Sequence, residues 1–169
     1  MRTLFLLLLL GLTACSRAPT LDFDQLRGSM NEADAQALQP HLDWQCSADD
    51  PANGGQFGQR VCDGPTTTLN GQPATRVDYL FRDGKLSYAI IEFTPDGYAE
   101  LAKNMDAKHG RRALDGPLRG VAAGMFHDDL TAWTVQDGVA VTSATEKKPN
   151  GNVFVLWISN KEFARHSGS

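Results

Sequence analysis

Two dipeptides, Asn70-Gly71 and Asp83-Gly84, constrain this chain more than any other feature, because both positions of a two-residue β-hairpin loop need positive φ and these pairs supply it. Around Asp83-Gly84 the flanking residues sort into faces. Phe81 is expected to face Leu86, Tyr79 to face Tyr88 and Val77 to face Ile90, while Arg82 meets Lys85 and Asp78 meets Ala89 on the other side. That alternation describes an antiparallel pair with one buried side, and a slip of one residue would exchange the faces. Asn70-Gly71 adds an earlier strand, so the first half reads as a three-stranded meander.

A second set of strands follows later. Residues 129–159 hold three strand candidates, broken at Asp137-Gly138 and at Pro149-Asn150-Gly151. Residues 153–158 are continuously apolar, the pattern of a central strand buried on both faces. Between the two sets lies a helical stretch. Thr94 is placed to cap it, Pro95 stands at the first helical position, Tyr98, Leu101, Ala102 and Met105 repeat at i, i+3, i+4 and i+7, and Gly110 stops it. A shorter helix is predicted within residues 28–39. There Ser29 is the expected cap, Glu32 completes a capping box, and Met30, Ala33, Ala37 and Leu38 share a face.

Runs of antiparallel strands with a few helices imply an α+β fold: an antiparallel sheet built from two three-stranded meanders with helices packed on one face. In this order of elements the chain resembles small envelope-facing lipoprotein modules such as the BamE family and modules of the β-lactamase-inhibitor-protein type. That resemblance is one of architecture.

The first residues indicate an address. Residues 4–12 are apolar, follow a single cation at Arg2, and end at the small residues Thr13 and Ala14. About 20 apolar residues are needed to span a bilayer, so this run fits the h-region of a secretory signal instead. Leu12-Thr13-Ala14-Cys15 resembles the lipobox of bacterial lipoproteins. The resemblance implies removal of residues 1–14 and attachment of a diacylglyceryl group and further acyl chains such as palmitate to Cys15. Two or three chains on one residue anchor durably, where one alone is marginal. Ser16 directly after the cysteine implies sorting to the periplasmic face of the outer membrane. Residues 15–20 would form the lipidated cysteine and a short tether. Its last five residues span at most about 18 Å, leaving 21–169 as a single domain near the membrane.

Three cysteines are awkward in an oxidising compartment unless one is consumed. With Cys15 lipidated, Cys46 and Cys62 remain, separated by a loop rich in Gly, Asp and Pro. They read as a disulfide staple, ahead of free thiols or a metal site, because neither a Cys-x-x-Cys nor a paired histidine lies nearby.

Charge narrows the partners. The chain has 16 Lys and Arg against 20 Asp and Glu, and loss of Arg2 with the signal leaves 15 cations. A domain with this net negative charge is not expected to bind nucleic acid, which rests on an excess of clustered cations. Catalytic motifs are missing from the sequence: it has no Gly-x-Ser-x-Gly, His-Glu-x-x-His or glycine-rich phosphate loop. His127-Asp128-Asp129 is the most suggestive short cluster, but adjacent residues do not by themselves converge on one point, and a solvated turn explains them. No catalytic residue, metal or cofactor is therefore assigned.

Trp133 and Trp157 fall within strand patterns and are expected in the core, while Trp44 stands outside them. Lys108, His109, Arg111 and Arg112 suit the C-terminal end of the long helix. Residues 111–128 are long for a connection and lack a clear period. Arg111, Arg112, Leu118, Arg119 and Phe126 are the candidate partner-binding residues there, unless the apolar ones fold back onto the sheet. The expected function is a non-catalytic, membrane-anchored, periplasm-facing lipoprotein that binds another envelope protein or the cell wall. The alternative is an inhibitor or immunity lipoprotein directed at a periplasmic hydrolase or effector.

Overall fold

The structure, a computed structural model, describes residues 21–48, 57–65, 67–114, 126, 129–143 and 149–166. Cys15 and its tether, Leu118, Arg119, His127 and Asp128 lie outside the described residues. Nine strands form one antiparallel sheet: β1 (Gln45–Ala48), β2 (Arg60–Gly64), β3 (Thr67–Leu69), β4 (Gln72–Arg82), β5 (Lys85–Phe93), β6 (Arg112–Ala113), β7 (Leu130–Val135), β8 (Gly138–Ser143) and β9 (Val153–Ser159). Their order across the sheet is β1-β2-β4-β5-β9-β8-β7-β6, with β3 also paired to β4. Among the described residues lie three α-helices, α1 (Glu32–Gln36), α2 (Pro95–His109) and α3 (Asn160–His166), and a short 3-10 turn at Phe23–Gln25. The fold is thus α+β and dominated by its sheet.

The apolar run near the C-terminus forms β9, which lies between β5 and β8 and bonds to both. Its side chains alternate between two separate cores. Val155 and Trp157 join Tyr79, Phe81, Ile91, Leu101, Met105 and Trp133 on one face. Leu156 and Ile158 join Leu80, Tyr88, Leu114, Phe126, Val139 and Val141 on the other. Both faces are therefore apolar along the middle strands, which is why this segment reads as a continuous run.

The helices divide between the faces. Ala35 of α1 and Leu101, Ala102 and Met105 of α2 pack into the first core, whereas Phe163 of α3 packs against the second. The expectation of helices on one face is corrected accordingly, because a sheet apolar on both sides needs cover on both sides. α2 starts at its Thr94 cap, whose side chain accepts from the Gly97 amide, and ends at Gly110 with φ 69°.

The Asp83-Gly84 turn forms with φ 53° and 69°, and Asn70-Gly71 with 48° and 76°. The register beyond the first turn differs from the sequence expectation. Phe81 faces Leu86, but Leu80 then faces Tyr88, Tyr79 faces Ala89 and Val77 faces Ile91. Ser87 is the extra residue of a bulge, and the shift sends Tyr79 and Tyr88 into opposite cores. Because both faces are buried here, Tyr88 and Ala89 are each fully covered after the shift, so burial does not penalise it.

Two further boundaries move for local reasons. α1 is capped by Asn31, not Ser29: Asn31 Oδ1 accepts the Asp34 amide at 2.9 Å and Asp34 Oδ2 accepts the Asn31 amide at 3.1 Å. Residues before Asn31 are held by the sheet, since the Met30 carbonyl accepts the Leu86 amide at 2.8 Å. The β7–β8 turn is Gln136-Asp137, with Val135 facing Gly138. Gly138 serves close approach: a Cβ there would lie 2.3 Å from the Ile158 oxygen and 2.7 Å from Trp157 Nε1.

That contact generates a prediction. Gly138→Ala forces backbone movement at the β8–β9 seam and should cost about 2 kcal/mol, roughly 4–8 °C in thermal midpoint. A midpoint within 1 °C of the wild type, measured by calorimetry, would contradict the seam's tight packing.

Candidate functional site

The basic cluster at the end of α2 is engaged within the chain. Lys108 Nζ lies 2.5 Å from Asp24 and 3.3 Å from Asp22, and His109 Nε2 lies 3.5 Å from Asp24. Arg111 Nε donates to Asp106 Oδ1 at 2.8 Å, and its guanidinium lies 5.1 Å from the centre of the Trp133 ring. Trp133 Nε1 donates to the same Asp106 oxygen at 2.7 Å. Arg112 remains exposed on β6, while Phe126 is buried in the second core with Leu114. Of the five candidates in this segment, Arg111 braces α2 against β7, Phe126 is a core residue and Arg112 faces solvent.

A polar cluster lies under α3. Glu162 is buried, and its carboxylate accepts from Tyr88 Oη at 3.2 Å. Arg82 and Arg165 each approach that carboxylate to 3.5 Å, and His166 Nε2 lies 3.0 Å from Tyr88 Oη. Burial, with the Glu162 charge beside it, pushes the Tyr88 hydroxyl up to about 12. These contacts tie α3 to β4 through Arg82 and to β5 through Tyr88. Asp137 fastens the other end of the helix by accepting from Asn160 Nδ2 at 3.1 Å and from the Gly28 amide at 2.8 Å.

The open site is elsewhere, at the sheet edge that begins with β1. Cys46 and Cys62 face each other across β1 and β2 and form a disulfide. The segment expected as an unordered stapled loop thus begins and ends in paired strands. Gln36 of α1 donates to Cys46 Sγ at 3.0 Å and holds the helix over the bridge. Arg60 forms a two-point ion pair with Glu32, reinforcing the same junction. The Glu32 and Cys46–Cys62 atoms converge, yet both sulfurs are bonded to each other, so the group offers no thiolate to a metal.

Beside this junction a groove of about 420 Å³ is lined by Ala33, Gln36, Ala37, Pro40, Leu42 and Trp44. Trp44 forms its floor. The indole stacks on Tyr79 with centroids 4.9 Å apart and planes 20° from parallel, and its Nε1 donates to the Gln39 carbonyl at 3.1 Å. Gly64 makes room beneath: a Cβ there would meet Leu42 Cδ1 at 3.0 Å and Trp44 Cζ3 at 3.2 Å. Ala33, Ala37 and Pro40 are exposed, and Leu42 and Trp44 half-buried, so the groove presents small apolar walls and an aromatic base to solvent. Asp34 and Asp43, both exposed, adjoin the lining residues Ala33, Leu42 and Trp44 in sequence, and Glu32 pairs with Arg60.

Sequence reading set Trp44 apart from the core tryptophans but gave no groove. The walls come from a five-residue helix and a turn, neither of which carries a periodic signal long enough to orient. No protein-family model matches the chain, and no curated protein or solved structure matches it either.

The anchoring of Asp24 has a pH consequence. Burial raises its carboxyl, but hydrogen bonds from Lys108 and the Gln136 amide and the nearby His109 outweigh this and hold it below the ordinary aspartate value. A carboxyl depressed on folding stabilises above its unfolded pKa, and that stabilisation disappears as pH falls through the folded value. Asp106 and Glu32 are depressed as well, by Arg111 and Trp133 and by Arg60 respectively, against burial in each case. The thermal midpoint should therefore fall on acidification below about pH 4. Asp24→Asn should lower it at pH 7 and lower it less at pH 3; an equal loss at both would assign the residue a role without ionisation.

Proposed function

We propose that this protein is a non-catalytic lipoprotein, held at the periplasmic face of the outer membrane through Cys15, that binds another envelope protein or the cell wall. The observation that carries the reading is the solvent-open groove floored by Trp44, beside the edge strand β1. Among the described residues, the buried cluster of Tyr88, Glu162 and His166 is engaged within itself, which supports a binding role for the open groove instead. The sheet is read as two three-stranded meanders, β3–β4–β5 and β7–β8–β9, joined along β5 and β9.

The start of the domain fits a short tether. Leu21 is buried and bonds through its backbone to Thr68 of β3 and to Asn70, so the described domain begins with a residue held on the sheet. A lipid at Cys15 would then hold that end of the sheet against the membrane. Exposed Asp34 and Asp43, adjoining the groove's lining residues in sequence, also suit the alternative, an inhibitor or immunity lipoprotein, since a basic periplasmic hydrolase would complement them.

The test uses the full chain in its own membranes. Wild-type protein should partition into detergent and, after crosslinking, yield a stoichiometric complex. Cys15→Ser should give an uncleaved or soluble product that no longer recovers the complex from the membrane fraction. Normal processing and detergent partitioning of the Cys15→Ser protein would refute the anchor, and wild-type membranes giving no stoichiometric complex would refute the binding role.

A further inference from the structure

The outer edge of β1 and the groove at Trp44 are adjacent, and their chemistry together specifies more than either alone. β1 ends the order of the sheet, so among the described residues no strand pairs with its outer side. Which of its backbone groups point outward follows from the pairing. In an antiparallel ladder, directly opposed residues that exchange hydrogen bonds have Cα atoms about 5.5 Å apart, and those that do not are about 4.5 Å apart. Cys46 and Cys62 are directly opposed with Cα atoms 4.0 Å apart, which marks the second kind. The N–H and C=O of Cys46, and of Ala48 two residues on, are therefore directed away from β2. These are unpaired ladder groups of the sort that accept an added strand.

The side chains beside this edge restrict what the added strand carries. Trp44 and Cys46 pack against the first core, so an added strand would present every second side chain on the face where the groove opens. The groove has small apolar walls and an aromatic floor, suited to one apolar side chain. Exposed Asp34 and Asp43 adjoin the lining residues Ala33, Leu42 and Trp44 in sequence while Glu32 is paired with Arg60, an acidic excess among these residues that a cationic segment complements. Exposed Gln45, Ser47 and Ala48 place no charge on the edge strand itself, so nothing there repels an incoming backbone.

We propose that the β1 edge and the Trp44 groove form one binding site for an extended segment of a second polypeptide, which pairs with β1, seats an apolar side chain in the groove and carries lysine or arginine beside it. The proposal rests on the binding role above and names the partner's chemistry. It makes the disulfide functional in position, since the Cys46–Cys62 bond fixes the edge that the partner extends.

The probe is a random dodecapeptide library selected on the immobilised full-length protein, with the enriched peptides then synthesised and titrated. Enriched sequences should alternate apolar and polar residues and carry net positive charge. Ala48→Pro, which removes an outward N–H, and Ala37→Gln, which fills the groove from an exposed position without adding charge, should each weaken binding at least tenfold with the thermal midpoint unchanged. N-methylation of alternate peptide amides should weaken it similarly, because it blocks the ladder. The proposal is overturned by acidic or helix-patterned winners, by affinities equal in wild type and both variants, or by no enrichment at all. If it is overturned while crosslinked wild-type membranes still give a stoichiometric complex, the binding role stands and only this site is wrong.

Discussion

The rest of the structure depends on β9 being buried on both faces. One core uses Val155 and Trp157, the other Leu156 and Ile158, and hydrogen bonds join the strand to β5 on one side and β8 on the other. Without it, the strands before α2 and those after it would form separate sheets, each with an exposed edge. The close contact at Gly138 and the pinning of α3 through Tyr88, Glu162 and Asp137 both follow from holding this strand in the middle.

A sheet closed at its centre leaves its outer strands weakly held. β6 has two residues and β1 has four, both largely exposed. Short, polar edges are a common defence against unwanted pairing. β1 differs from β6 in its surroundings, because a disulfide fixes its position and the Trp44 groove lies beside it. Those two features suit β1 to the proposed binding role, whereas β6 among the described residues is two exposed residues, Arg112 and Ala113.

Legibility in the sequence followed the strength of local signals. The Asn-Gly and Asp-Gly turns, the Thr94-to-Gly110 helix and the apolar run of β9 were readable because propensity, period and turn chemistry agree at each. The register of β4 and β5 was not, since alternation decides a register only when one face is wet, and Ser87 sits in a sheet apolar on both sides. β1 and β2 were hidden by the glycine-rich loop between Cys46 and Cys62, although the facing cysteines fit a ladder. α3 is too short to show a period. The groove was out of reach for another reason: its residues lie in one short helix and one turn, brought against Trp44 by the bridge, the Arg60–Glu32 pair, the Trp44–Gln39 hydrogen bond and the room left at Gly64. Fold followed from chain-local patterns, whereas the site is a product of tertiary placement.

Native-state hydrogen exchange across a denaturant series tests the central role of β9 most directly, because it reports the free energy of each opening separately. The amides of β5, β8 and β9 should exchange only through global unfolding and merge to one free energy. Those of β1 and β6 should exchange through smaller, local openings. Two cooperative units dividing between β5 and β9, each with its own free energy, would contradict the account, for they would mean that the halves hold together without the central strand.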